Sequence, residues 1–421
     1  MTLGETKQSS PKGEGLNLFY KAASLAALLY MQTFPSGNYK VVQREATNSL
    51  VQFNQRFETI RDDPLFMSQE ELKRRRLLKQ KHLVYASYLA AMSSYPMLYR
   101  AAPPRDIALS SFAKASSVTA TKVLDNINDQ VHSFERAVNS LRRFDAALTE
   151  SHFTFADAKG DEVAKAENSS FMMARWAHDI LADNVHPDSE MYRIYVSDIH
   201  KATEGQLASL RQKIGERRFE GYSGMSIGDY LRVISEKGVG GIWINIDLCF
   251  YEKNQGKLDG EERKAIESIR KGLDYIFKST LIYDDVSDLT IDLRDSIVNS
   301  VIMLGIEQGS CSMEDVRSSS PGEVVKRLER SGVVRNTIHL ADLVFLKGIE
   351  HLERARAASE NMDIGASIFN ARLLRAFNLR KWLMRTRHPR DMRVLMRSFG
   401  TLRGLRSAIP EYILSYERFL G

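Results

Sequence analysis

The chain runs to 421 residues, 43% hydrophobic and 27% charged, with 10 prolines and a formal net charge of +6. That is enough to bury one large core or two ordinary ones, and it excludes a disordered or fibrous polymer. The only cysteines, Cys249 and Cys311, exclude a disulfide framework and a four-cysteine zinc site, and they fit a reducing, cytoplasmic setting.

The first residues, "MTLGETKQSSPKGEG", are polar and rich in turn formers, so no signal peptide is expected. Residues 18–34, "LFYKAASLAALLYMQTF", carry Lys21 and are short for a bilayer span; they read as a core helix, with membrane contact a lesser alternative. Apolar residues then recur at helical spacing in "YASYLAAMSSYPMLYRAA" (85–102), "SFERAVNSLRRFDAAL" (133–148), "SFMMARWAHDILA" (170–182), "IHKATEGQLASLRQKI" (199–214) and "PGEVVKRLERSGVV" (321–334). Breaks rich in Gly, Pro, Asp and Ser fall at 101–106, 155–162, 184–190, 217–226, 254–262 and 317–323. Alternating strand-length runs are hard to find, and no fixed-period repeat appears. An all-α bundle is expected. Between Ala371 and Arg406 stand eleven Lys/Arg and one acid, Asp391, so this stretch carries +10 and the rest of the chain −4. Such a segment reads as solvated helix faces, as a contact for anionic lipid, or as one that supplies an arginine to a phosphate. Nucleic acid is not expected, because Phe377, Trp382 and Phe399 are sparse and no recognition motif accompanies them.

Two segments carry the chemistry. "LIYDDVSDLTIDLRDSIVNSVIMLG" (281–305) places Asp284, Asp288 and Asp292 at i, i+4 and i+8, on one face of a helix. Upstream that face turns apolar at Phe277 and Leu281. "VTATKVLDNINDQVHS" (118–133) repeats the device with Asp125 and Asp129, preceded on the same face by the modest side chains of Val118 and Thr121. Acidic pairs also decorate solvated helices, a reading that suits "DNIND" better than the apolar-flanked stripe. Carboxylates on facing helices can instead build a metal site inside a bundle, and Mg²⁺ is commonly shared between carboxylates and substrate phosphates. "HDILADNVH" (178–186) is a weaker cluster. "GVGGIW" (238–243) lacks the ending of a phosphate loop, and no hydrolase or zinc-protease motif is present.

Together these residues resemble the class I isoprenoid synthase superfamily. "DDVSD" (284–288) is similar to the second aspartate-rich motif of trans-isoprenyl diphosphate synthases. Read through Asp292 to Asn299, it also resembles the second metal motif of class I terpene synthases. "DNIND" (125–129) resembles the first motif with Asn126 in place of its second aspartate. "EGQLASL" (204–210), with Gln206, and "MSIGDYLRVISEKGVGGIW" (225–243), with Lys237 at the lysine position and Gly238 replacing a threonine, follow in family order. The resemblance spans residues 110–310. The arginines after the first motif and an isopentenyl diphosphate motif before it are missing.

The resemblance implies a large antiparallel bundle over residues 1–345, with N-terminal helices before 110, and a basic helical extension over 346–421. It implies that Asp125, Asp129, Asp284, Asp288 and Asp292 hold Mg²⁺, three ions once a diphosphate is bound. Lys237 would grip an allylic isoprenoid diphosphate, and Phe277, Leu281, Thr121 and Gln206 would line its pocket. A terpene-synthase-like ionisation with cyclisation or rearrangement is the leading expectation. A chain-elongating prenyltransferase and a non-catalytic partner of a prenyl synthase are the alternatives. A homodimer, and peripheral contact with an anionic membrane by an otherwise cytoplasmic protein, are further expectations.

Overall fold

The computed structural model describes residues 22, 24–131, 133–212, 225–238, 240–356, 359–386 and 392–420. It is an all-helical, largely antiparallel bundle, with no strand among the described residues. The principal helices are α1 (Tyr39–Thr59), α2 (Gln80–Leu98), α3 (Pro104–Gln130), α4 (Phe134–Thr149), α5 (Glu162–Asn184), α6 (Glu190–Ser209), α7 (Gly240–Gln255), α8 (Gly260–Arg294), α9 (Ser300–Glu307), α10 (Val333–Ala355) and α11 (Ile364–Thr386). Shorter helices fill the corners.

Local chemistry sets the ends of these elements. Helix α8 opens on a capping box in which Asp259 accepts from the Glu261 and Glu262 N–H groups, while the Glu262 carboxylate accepts from the Asp259 N–H. It then runs 35 residues, about 50 Å. The helix closes at Asp295, and Ser296, at φ 55°, turns the chain away.

Helix α7 packs on both α3 and α8 and so holds the two acid-bearing helices apart within one bundle. Its tie to α3 is a fully buried ion pair of Lys114 and Asp247. Ser110 donates to Asp247 at 2.7 Å, and Lys114 and Trp243 each donate to the Ser93 hydroxyl at 2.7 Å. No polar group of this network is left bare, as low-dielectric burial requires.

The most extensive packing joins α8 to α10. There the backbones nearly touch: a Cβ on Gly348 would stand 2.6 Å from the Gly272 carbonyl oxygen and 2.8 Å from Ile276 Cγ1. A backbone oxygen cannot step aside, so Gly348→Ala should destabilise the protein by about 1–3 kcal/mol through overpacking. Urea titration followed by circular dichroism would read this; an unchanged midpoint would mean that the crossing relaxes freely.

Two expectations change against the structure. Residues 18–21 and 23 lie outside the described residues, and the described part of the 18–34 segment is not a core helix. Met31 is buried, but Leu25 and Leu29 are 59% and 64% exposed. The basic stretch is not uniformly solvated either, because Arg375 is buried in the core. Phe345 and Leu346 both lie within α10. No helix of the described residues is long and apolar enough to cross a membrane.

Candidate active site

Helix α3 ends its described course with Thr121, Asp125 and Asp129 on one stripe, and these three line a cleft of about 80 Å³ that is open to solvent. Across it stand Leu141, Phe144 and Leu148 of α4, and Ile199, Ala202 and Gln206 of α6. Lys237 closes one end. The cleft is thus apolar along its α4–α6 wall and charged at its rim.

Lys237 reaches this position because α6 carries glycine at 205. A Cβ there would lie 2.3 Å from the Lys237 backbone nitrogen, so only glycine lets the turn Ile234–Lys237 come down on α6. The Lys237 ammonium donates to Gln212 Oε1 at 3.4 Å, and its charge favours the ionised forms of Asp285 and Asp292 on α8. It therefore stands between the α3 and α8 acids. Phe277 and Leu281 do not line this cleft. The Phe277 ring packs on Trp243, centroids 5.8 Å apart, and Leu281 lies against Gly238, so both support the Lys237 turn from behind.

A residue that the sequence reading did not single out pairs with the first acid segment. Lys122 Nζ lies 2.6 Å from Asp125 Oδ2, and the charges of Asp125 first, then of Asp129 and Asp284, raise the pKa of that one ammonium. The pair sits at the rim, with side chains 47% and 44% exposed. A lysine three residues before an aspartate reads as an ordinary surface pair; only the fold brings Asp284 to it.

Further along α8 the acids divide their duties. Asp285 accepts from the Ser300 N–H at 2.9 Å, and burial, offset by Lys237, raises its pKa. Asp292 accepts from Asn299 Nδ2 at 2.7 Å. Burial, and then the charge of Asp285, push the Asp292 carboxyl up to about 8, against the Asn299 hydrogen bond and Lys237. Asn299 has structural work of its own: it caps α9 by accepting from the Val301 and Ile302 N–H groups, and it donates to the Asp285 carbonyl at 3.0 Å. Asn126 turns from the cleft and donates to the Leu77 carbonyl at 2.8 Å. His178 is tied to Asp179 and lies apart from this site.

A carboxyl raised above its unfolded value of 3.8 binds more protons folded than unfolded between that value and about 8. The metal-free protein should therefore lose stability as pH rises from about 4 to about 8, and Asp292→Asn should flatten that fall. Thermal melts in chelator across this range would check it; equal slopes for both proteins would contradict it.

Among the described residues, no three His, Cys, Asp or Glu side chains converge as a closed metal site. The carboxylates nearest the cleft are Asp125 and Asp129. They offer hard oxygens on one helix of a solvent-open cleft, and Mg²⁺ would be held there by one or two carboxylates, with water and substrate phosphate completing the shell. Asp292, whose carboxyl resists ionisation in the present charge balance, is the kind of group that an added cation would relieve.

No protein-family model matches the chain, and no curated protein matches it. Solved structures similar to it include a geranylgeranyl pyrophosphate synthetase from the archaeon Geoglobus acetivorans, at 16% identity and a TM-score of 0.46 over 81% of this chain and 99% of that one. Another is a linalool/nerolidol synthase from Streptomyces clavuligerus in complex with 2-fluorogeranyl diphosphate, at 14% identity and a TM-score of 0.39 over 82% and 96%. At such scores the likeness assigns no family.

Proposed function

We propose that this chain is a Mg²⁺-dependent enzyme that ionises an allylic isoprenoid diphosphate, with a terpene-synthase-like outcome of cyclisation or rearrangement. The observation that carries the reading is a largely apolar cleft whose lining brings Asp125 and Asp129 together with Lys237. Asp125 and Asp129 on one side, and Asp284, Asp288 and Asp292 on the other, are the residues that would hold Mg²⁺. When bound, it supplies the positive charge against which pyrophosphate departs. Lys237 binds the diphosphate from the end of the cleft, and Thr121 and Gln206 orient it. Leu141, Phe144, Leu148 and Ile199 exclude water from the hydrocarbon. Contact with anionic lipid belongs to the same proposal: Phe377, Met396 and Phe399 are exposed among the arginines of the basic stretch.

One observation favours a condensing prenyltransferase as the second reading. A basic cleft of about 630 Å³ shares Ile242 with the acidic one and is lined by Lys201, Arg232, Arg270, Lys271, Lys278 and Arg418, against the three carboxylates Asp198, Glu236 and Asp274. A second anion would fit that charge balance.

The test is incubation with Mg²⁺ and geranyl, farnesyl or geranylgeranyl diphosphate, with and without isopentenyl diphosphate. Pyrophosphate release with hydrocarbon or alcohol products supports the first reading; longer diphosphates formed only with isopentenyl diphosphate support the second. No release from any substrate would leave neither standing.

A further inference from the structure

Residues 22–34, "AASLAALLYMQTF", contain no charged side chain. A helix apolar on every face is normally buried. In the helical residues 24–31, however, Met31 is buried while Leu25, Leu28, Leu29 and Tyr30 are all exposed. This helix is fixed in place against α11. The rings of Tyr30 and Phe34 pack on Phe369, centroids 4.9 and 5.6 Å away, and Asp363 accepts from the Ser36 N–H and hydroxyl at 2.9 Å each. Helix α11 joins two further apolar groups to it. Arg372, one turn after Phe369, donates to the Ser398 and Gly400 carbonyls at 3.2 and 2.7 Å and so holds the turn that exposes Met396 and Phe399. Phe377, two turns after Phe369, meets the Tyr85 ring of α2 at 5.8 Å, with Leu89 exposed one turn beyond Tyr85. Arg380, Arg393 and Arg403 are exposed beside these groups, and no Asp or Glu occurs in residues 364–386 or 392–406.

We propose that this face docks on an anionic lipid bilayer, with the helix over residues 24–31 entering the headgroup layer and the arginines resting on lipid phosphates. The inference rests on the lipid contact proposed above and assigns its apolar half to a different part of the chain. Charge selects this occupant over a second copy of the protein. A two-fold contact through the same face would set one basic segment against another, whereas a bilayer holding anionic lipid attracts the arginines and accepts the leucines. A free phosphate would leave the apolar half uncovered.

Flotation of the full chain with vesicles of phosphatidylcholine, and of phosphatidylcholine mixed with phosphatidylglycerol, tests this. Wild type should bind the mixed vesicles, and bind them more weakly as salt rises. Burying a leucine contributes about tenfold or more, so Leu25→Glu with Leu29→Glu should weaken binding on the order of a hundredfold. An arginine at an anionic surface contributes about fivefold, so Arg393→Glu with Arg403→Glu should weaken it on the order of twentyfold or more. All four side chains are exposed, and thermal melts establish that each difference arises in folded protein. Undiminished binding by the leucine variant, with loss in the arginine variant, would overturn the proposal and leave a lipid contact made by the basic segment alone. If wild type binds neither vesicle, the lipid contact itself fails. A wild type that is dimeric by light scattering, with a monomeric leucine variant, would give the face to a second copy and overturn the proposal as well.

Discussion

Asp284→Ala should lower pyrophosphate release by about a thousandfold or more while leaving the melting temperature close to that of wild type. The size follows from the role proposed: a carboxylate that fixes the charge opposing a departing diphosphate acts mainly in the transition state, where electrostatic stabilisation is greatest. The small effect on stability follows from place, since Asp284 is only partly buried on α8. Asp125→Ala should behave alike. The double variant should be little worse than either single one, because groups acting on one charge cannot be lost twice. Asp285→Ala supplies the contrast. Its carboxylate holds the Ser300 N–H at the start of α9, so its loss should show first in stability. Single-turnover pyrophosphate assays beside thermal melts separate the two outcomes. Full release by Asp284→Ala, or a fall matched by equal unfolding, would remove the site from α8.

Much of this site could be read in the chain itself. Helical periodicity puts Asp284, Asp288 and Asp292 on one stripe, and Asp125 and Asp129 on another, without any knowledge of the fold. What periodicity cannot supply is which neighbouring residue is chemical and which is structural. Asp284 and Asp285 are adjacent and identical, yet one helix step points the second at the N–H of Ser300. Asn299 stands at a plausible ligand distance along the sequence, but an asparagine immediately before an apolar run is also an N-cap signal, and it makes both cap hydrogen bonds. The influence of the Asp284 charge on Lys122 comes from α8 and is invisible to local pattern. The buried arginine did leave a trace. Asp342, in the apolar run "HLADLVFL", is an acid that a helix facing the core can bury only with a partner, and the basic stretch downstream was the obvious source of one.

That partner gives the second large effect expected, this time on stability. Arg375 and Asp342 are both essentially unexposed, with the Arg375 Nη2 2.6 Å from Asp342 Oδ1. The Arg375 Nε donates to Asp342 at 2.8 Å and to the Tyr283 hydroxyl at 3.0 Å, and Tyr283 donates to Asp342 in turn. Nη1 continues to the Val394 carbonyl at 3.1 Å and to Ser398. This strut fastens the basic segment to α8 at the residue directly before Asp284. Asp342→Ala leaves a buried guanidinium without its counter-ion and should destabilise the protein by about 3–5 kcal/mol. Replacing the pair together, as Asp342→Leu with Arg375→Met, should recover most of that loss, because two apolar side chains carry no desolvation penalty. Urea titration of the single and double variants reads both numbers. In the single variant, trypsin should also cut sooner after the arginines of the 393–406 segment, which the strut holds down. A single variant within about 1 kcal/mol of wild type would mean that water reaches Arg375, and that the basic segment is held to the bundle by its apolar contacts alone.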